Sequence, residues 1–217
     1  MPKKELQDIF IAHITHIDNL ASIVADAHLY SDAKNLERKS CTQQIGMSKI
    51  KQRRLTELPV TCHSGTMVGE YVPFYFHHHS PMLYLIHIGN AELEYKGGQE
   101  KIVYLVSKMQ AGIEWADENH KKWCFTSSNA GAYICDFYDS IDDLDKVNWE
   151  AVSQEYWQEC KDEKQAEFLI QDAFPFELFT YIGVYNKEML TEVNKALEGI
   201  ERKPKVAVHP EWYYKGD

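Results

Sequence analysis

Short apolar and β-branched runs recur along this chain without alternating regularly with helical stretches. That order limits the fold more than any other feature. A doubly wound parallel sheet needs a helical crossover between successive strands, and the spacing here does not supply one. The pattern predicts an α+β domain with a mixed or mostly antiparallel sheet. At 217 residues, 44% of them apolar, the chain is long enough to bury a core and reads as one domain over 1–217.

Residues 9–15 read as a strand, with His13 and Thr15 on one face because side chains alternate. A helix is predicted over 17–29, where Ile17, Leu20, Ile23, Val24 and Ala27 form an apolar stripe. Residues 102–106 are the clearest buried strand. Shorter strands are predicted at 58–62, 123–126, 181–185 and 206–208, with a loop over 127–132. Residues 82–88 fit a strand or a short helix, and a short helix is expected over 108–114. Asn186 caps a helix over 187–198 whose Met189, Leu190, Val193 and Leu197 face inward. In the aromatic run 71–76, Pro73 argues against an ordinary central strand and for an edge or irregular segment.

Residues 30–58 are polar and weakly periodic, with room for a short helix near 47–55. A connection that long suggests a ligand-covering element. It holds Lys34, Arg38, Lys39, Lys49, Lys51, Arg53 and Arg54 against Glu37, a basic region in a chain of net charge −10. That overall charge excludes a non-specific nucleic-acid coat. The basic region fits either an anion site or a solvated loop. Five cysteines without a CxxC pair fit reduced thiols. No apolar signal region and no apolar run long enough for a membrane helix is present, so the expected location is the cytoplasm.

The candidate chemistry centres on Glu167, a carboxylate directly before the apolar run 168–170. At the mouth of a buried strand it is suited to electrostatic or acid–base work; on a helix it is an ordinary solvated charge. The run His77-His78-His79 invites a metal reading, but on a strand at most two of its rings share a face, and no HExxH or paired cysteine supports it. No metal is therefore expected. Glycine-rich phosphate loops and a GxSxG elbow are absent from the sequence.

Several segments together resemble the DarT family. They are His13-Ile14-Thr15-His16-Ile17-Asp18-Asn19-Leu20, then Tyr71-Val72-Pro73-Phe74-Tyr75-Phe76 followed by Ser80-Pro81-Met82-Leu83. Phe125-Thr126 with Asn129-Ala130, Gln165-Ala166-Glu167-Phe168-Leu169 and the closing segment 206–214 continue the match in order, and Arg53 stands where the family keeps an arginine. The chain departs from the family pattern at His78, where a proline is usual, and at Asn129, where some members carry histidine.

The resemblance implies an ADP-ribosyltransferase fold with a central split sheet, and a bacterial toxin that uses NAD to modify a base, thymine or alternatively guanine, in single-stranded DNA. It implies a DarG-like macrodomain antitoxin as partner. It assigns Glu167 and Arg53 to catalysis, with Arg54 as the adjacent alternative. It places His13, Ile14, Thr15, Arg53, Tyr71 and Tyr75 around NAD, with Met82 beside them, residues 35–53 as the covering element and 125–167 facing the DNA. Two other readings stay open at this stage: a binding module of the same fold without transfer activity, and a histidine-dependent metalloenzyme at 77–79.

Overall fold

The buried run beginning at Ile102 lies near the middle of a large sheet. The computed structural model describes residues 5–40 and 43–215; Cys41, one of the five thiols, falls outside them. In chain order the elements are β1 (Phe10–His16), α1 (Leu20–Ala25), β2 (His28–Tyr30), α2 (Asp32–Arg38), α3 (Ser48–Thr56), β3 (Tyr71–Tyr75) and α4 (Pro81–His87). Then come β4 (Ile102–Lys108), α5 (Met109–Glu118), β5 (Trp123–Asn129), β6 (Phe137–Tyr138), α6 (Trp149–Ser153), β7 (Ala166–Gln171), β8 (Ala173–Pro175), β9 (Tyr181–Val184), α7 (Lys187–Ala196) and β10 (Lys205–Val208).

Among the described residues, eight strands form one sheet in the order β10-β9-β4-β1-β3-β7-β5-β6. Only β9 and β10 are parallel neighbours, so the sheet is mixed, as the irregular strand pattern predicts. A second ribbon pairs β2 with β8. Alternation sorts β1 and β4 between two cores. Ile9, Ile11, Val103 and Leu105 pack with Leu20, Met109, Ile113, Met189 and Val193 from the helices on one face. Ala12, Ile14, Tyr104 and Val106 pack with Leu83, Ile86 and Tyr213 on the other.

Several expectations hold and several need correction. Asn186 caps α7 by accepting from the Met189 amide. Residues 82–88 are helical, because Pro81 and the Ser80 cap start α4. The helix expected over 17–29 is only α1 with a 3₁₀ turn before it. Ala27, at φ 54°, turns the chain out of the helix into β2. The segment 30–58 contains α2 as well as α3; Ser31 caps α2 through the Lys34 amide, a signal hidden among charged residues. Residues 58–62 make only an isolated bridge, Pro59 to Met67, and β5 extends through 127–129 into the expected loop.

Pro73 lies in a central strand, contrary to expectation. Its carbonyl accepts from His13 Nδ1 at 2.8 Å, so its backbone polar groups face β1. There the β1–β3 ladder has already opened, and no main-chain partner needs the missing donor. A prediction concerns Gly183 on β9. A methyl group there meets the Trp212 ring directly. Gly183→Ala is expected to lose about 1–3 kcal/mol in a urea titration; an unchanged midpoint contradicts this packing.

Candidate active site in a split sheet

Strands β1 and β3 pair at a single position, Ala12 opposite Tyr75. Beyond it they part, and a cleft opens between them, lined by His13, Ile14, Thr15, Pro73, Tyr75 and Met82. Its outer wall comes from α1, β2, α2 and residues 43–46, with about 1030 Å³ of empty space open to solvent. The polar segment 30–58 therefore covers a cleft.

One side chain ties this cover to the strand. Asn19 Nδ2 donates to Thr15 Oγ1 (3.0 Å) and to Gln43 O (2.9 Å), while its Oδ1 accepts from the Gln43 amide (2.7 Å). Asn19 was not singled out as a site residue from the sequence, although it stands in the motif beginning at His13. Partial burial of the His13 ring lowers its pKa. Its Nδ1 faces a carbonyl and so carries the proton, which leaves Nε2 of the neutral ring as an acceptor.

Glu167 is the second residue of β7 and lies directly opposite Tyr75. It is 2% exposed. Arg54 grips both its oxygens, Nη1 to Oε1 at 3.2 Å and Nη2 to Oε2 at 3.0 Å. The Ala130 amide donates to Oε1 at 3.2 Å, and the Glu167 amide donates to Thr126 Oγ1 at 3.0 Å. Burial opposes the Arg54 charge, yet the adjacent carboxylate outweighs it and raises the guanidinium pKa. Burial, then the Glu167 charge, keeps the Tyr75 phenol protonated by pushing its pKa up. The result is a fixed, buried carboxylate directly across the strand pair from Tyr75, which lines the cleft.

Comparison with known proteins is consistent along nearly the whole chain. The family model described as "ssDNA thymidine ADP-ribosyltransferase, DarT" matches residues 12–214. The chain belongs to the DarT family. It is 36% identical to the DNA ADP-ribosyl transferase of Thermus sp. (strain 2.9), over 94% of this chain and 95% of that protein. The counterpart from Mycobacterium tuberculosis is 28% identical, over 98% and 92%. The structure of Thermus sp. 2.9 DarT in complex with ADP-ribosylated ssDNA superimposes with a TM-score of 0.85 at 35% identity, covering 95% of this chain and 96% of that one. The same protein in complex with NAD⁺ gives 0.79 at 34%, covering 95% and 98%.

Within this DarT-family chain the two adjacent arginines diverge. Arg54, not Arg53, is the partner of Glu167, because successive α3 residues point about 100° apart. Arg53 instead donates to Gly131 O at 3.2 Å and lies 3.9 Å from the centroid of the Tyr133 ring. Tyr133 and Ile134 stand exposed on the segment between β5 and β6. Tyr71 also departs from expectation: it does not line the cleft. Its ring is buried with Leu58, Val60 and Leu169, at hydrogen-bond distance from Thr66 Oγ1. It shares a strand face with Tyr75 but lies four residues further along.

The three histidines fall after β3 ends, on a bend rather than a strand, so strand alternation does not separate them. One nitrogen from each lies within 4.8 Å of the others. The rings stack, His77 on His78 at 4.0 Å, and Lys164 Nζ meets His77 Nδ1 at 3.3 Å, an arrangement in which a cation faces the cluster. Lys164 also donates to Val152 O and Gln154 O, both at 2.6 Å, and burial lowers its pKa to about 8. It thereby ties α6 to the segment leading into Glu167.

The divergence of the arginines is measurable in unfolding. Arg54→Met leaves a buried carboxylate unpaired and is expected to cost about 3–5 kcal/mol. Arg53→Met loses the Tyr133 ring contact and one hydrogen bond to Gly131 O, about 1–2 kcal/mol together. Equal losses in urea titrations contradict the assigned pairing.

Proposed function

We propose that the chain transfers ADP-ribose from NAD to thymine in single-stranded DNA, releasing nicotinamide, and that it does so as the toxin of a toxin–antitoxin pair. As a DarT-family member it is an NAD-dependent DNA ADP-ribosyltransferase, with NAD as its substrate. The observation that carries the site assignment is the buried Glu167 carboxylate, fixed by Arg54 and the Ala130 amide beside the split-sheet cleft.

The cleft residues suit NAD. His13 offers an acceptor nitrogen to the carboxamide or a ribose hydroxyl, and Thr15 sits on the same strand face. Tyr75 and Met82 supply apolar wall for a flat ring. Ile14 contributes through the strand and the core behind it. Lys51, paired with Asp32 at 2.8 Å, lines the same cleft as a cation for phosphate oxygens.

The reaction breaks the bond between ribose C1′ and nicotinamide, which leaves as a neutral molecule with the bonding pair, and forms a bond from C1′ to a base nitrogen. Positive charge develops on the ribose meanwhile, and a carboxylate already in place stabilises it without reorganising. Arg54 holds the Glu167 carboxylate in position through both oxygens. Arg53, with Tyr133, faces the DNA side, where a guanidinium stabilises a base whose nitrogen proton passes to solvent water. A free arginine is not the base itself, since its pKa lies above about 12. Residues 1–217 form one functional domain on this reading, its macromolecular substrate is single-stranded DNA, and its partner is a DarG-like macrodomain that removes the modification. No described helix is long and apolar enough to cross a membrane.

Glu167→Gln retains the shape but loses the charge, and its amide nitrogen cannot accept from Arg54 as the second carboxylate oxygen does. It is expected to bind NAD within about threefold of the unaltered protein and to transfer ADP-ribose about 10²- to 10³-fold more slowly. The check is calorimetry for NAD and mass spectrometry of mixed-sequence oligonucleotides. Loss of NAD binding, or an unchanged rate, overturns the role. An adduct on guanine overturns the thymine assignment alone.

A further inference from the structure

A second cleft lies on the same sheet face as Glu167. Paired residues on neighbouring strands point to one face. The register gives a row across five strands: Tyr181 opposite Val106, Val106 opposite Ala12, Ala12 opposite Tyr75, and Tyr75 opposite Glu167. Tyr75 lines the first cleft; Tyr181, Val106 and Ala12 line the second. Strands stand about 4.8 Å apart, so Ala12 is about 10 Å from Glu167 across the sheet and Tyr181 about 19 Å.

The second cleft holds about 1040 Å³ of empty space and is walled by rings. One wall is a column in which His77 stacks on His78 and both His78 and His209 stack on Trp212, at 5.6 and 4.2 Å. Burial, and then its charged neighbours, lower the His78 pKa to about 4, so this part of the column is neutral. The other wall carries Phe10, 51% exposed, and Tyr181.

Each ring of that second wall carries a lysine. Lys108 Nζ lies 4.2 Å from the Phe10 centroid, and Lys205 Nζ lies 5.5 Å from that of Tyr181. Among the described residues neither lysine pairs with a carboxylate. Lys108 Nζ also donates to Gln7 O at 2.7 Å. In a chain of net charge −10, two cations without a carboxylate partner flanking an aromatic slot favour an anion that also carries flat rings. Single-stranded nucleic acid is such a ligand, because stacked bases and backbone phosphates are its two handles.

We propose that this cleft binds the substrate strand flanking the modified nucleotide, its bases entering between the rings and its phosphates meeting Lys108 and Lys205. The proposal rests on the DNA-modifying reading above. It makes Tyr181, Lys108 and Lys205 determinants of how a long strand is held, apart from the NAD cleft and the reacting atoms.

The test uses mixed-sequence single strands of about 16 nucleotides, and trinucleotides, with Tyr181→Leu and with Lys108→Glu/Lys205→Glu. For the long strand we expect KM to rise about 10-fold or more in each variant, with kcat within about twofold and NAD affinity unchanged. The logarithmic salt dependence of binding is expected to fall by about 1.4 in the lysine variant. On trinucleotides the variants are expected to match the unaltered protein. Unchanged long-strand KM and salt dependence overturn the proposal, as does an equal loss on trinucleotides. If the unaltered protein modifies no DNA at all, the functional reading fails, whereas fluorescence anisotropy of the labelled long strand still decides whether the cleft binds it. Lys205 is exposed and Lys108 half-buried at the end of β4, so Lys205→Glu alone keeps the test valid if Tyr181→Leu or the double variant misfolds.

Discussion

The ion pair between Arg54 and Glu167 is the contact on which the rest of the site depends. A carboxylate this buried is costly unless it is paired and hydrogen-bonded. Here one guanidinium covers both oxygens, and a backbone amide adds a third bond. The pair joins α3, which belongs to the covering segment, to β7, which belongs to the sheet. The cover, the strand mouth and the segment carrying Ala130 are therefore held to one another at the point where charge is needed.

The split between β1 and β3 does complementary work. A sheet that stayed fully laddered would leave no room beside Glu167. The opening follows from a local device: Pro73 withholds a donor, and the His13 side chain occupies the Pro73 carbonyl in place of main chain. The same device fixes the His13 tautomer, so one contact both opens the cleft and sets the polarity of a group lining it. Asn19 then closes the far side by linking Thr15 to residue 43. Stability and function are coupled throughout, because the bonds that shape the cleft are also those that hold the sheet to its cover.

Much of this was legible in the sequence. Alternation put His13 and Thr15 on one face and the Asn186 cap marked α7, while the apolar run after Glu167 fitted a strand or a helix until β7 was placed. What was not legible is long-range. Adjacent Arg53 and Arg54 are indistinguishable in a helix until the partner strand is placed. Tyr71 and Tyr75 share a face by alternation, and only the position of the split separates core from cleft. The Pro73 rule failed because it presumes a neighbour ladder that this sheet lacks. The histidine run was read as strand, but the strand ends two residues earlier, and the rings then stack. The Ser31 cap of α2 lay within a charged segment whose periodicity was too weak to reveal a helix.

The central claim is that Glu167 acts as an anion fixed in position, not merely as a negative charge nearby. Glu167→Asp tests this most directly, since it keeps the charge but withdraws the carboxylate from Arg54 and the Ala130 amide by one methylene. Measured under single turnover with saturating NAD, its transfer rate is predicted to fall by about 10²-fold, the order expected for a displacement near 1 Å, with NAD affinity retained. A rate within a few-fold of the unaltered protein would contradict the account.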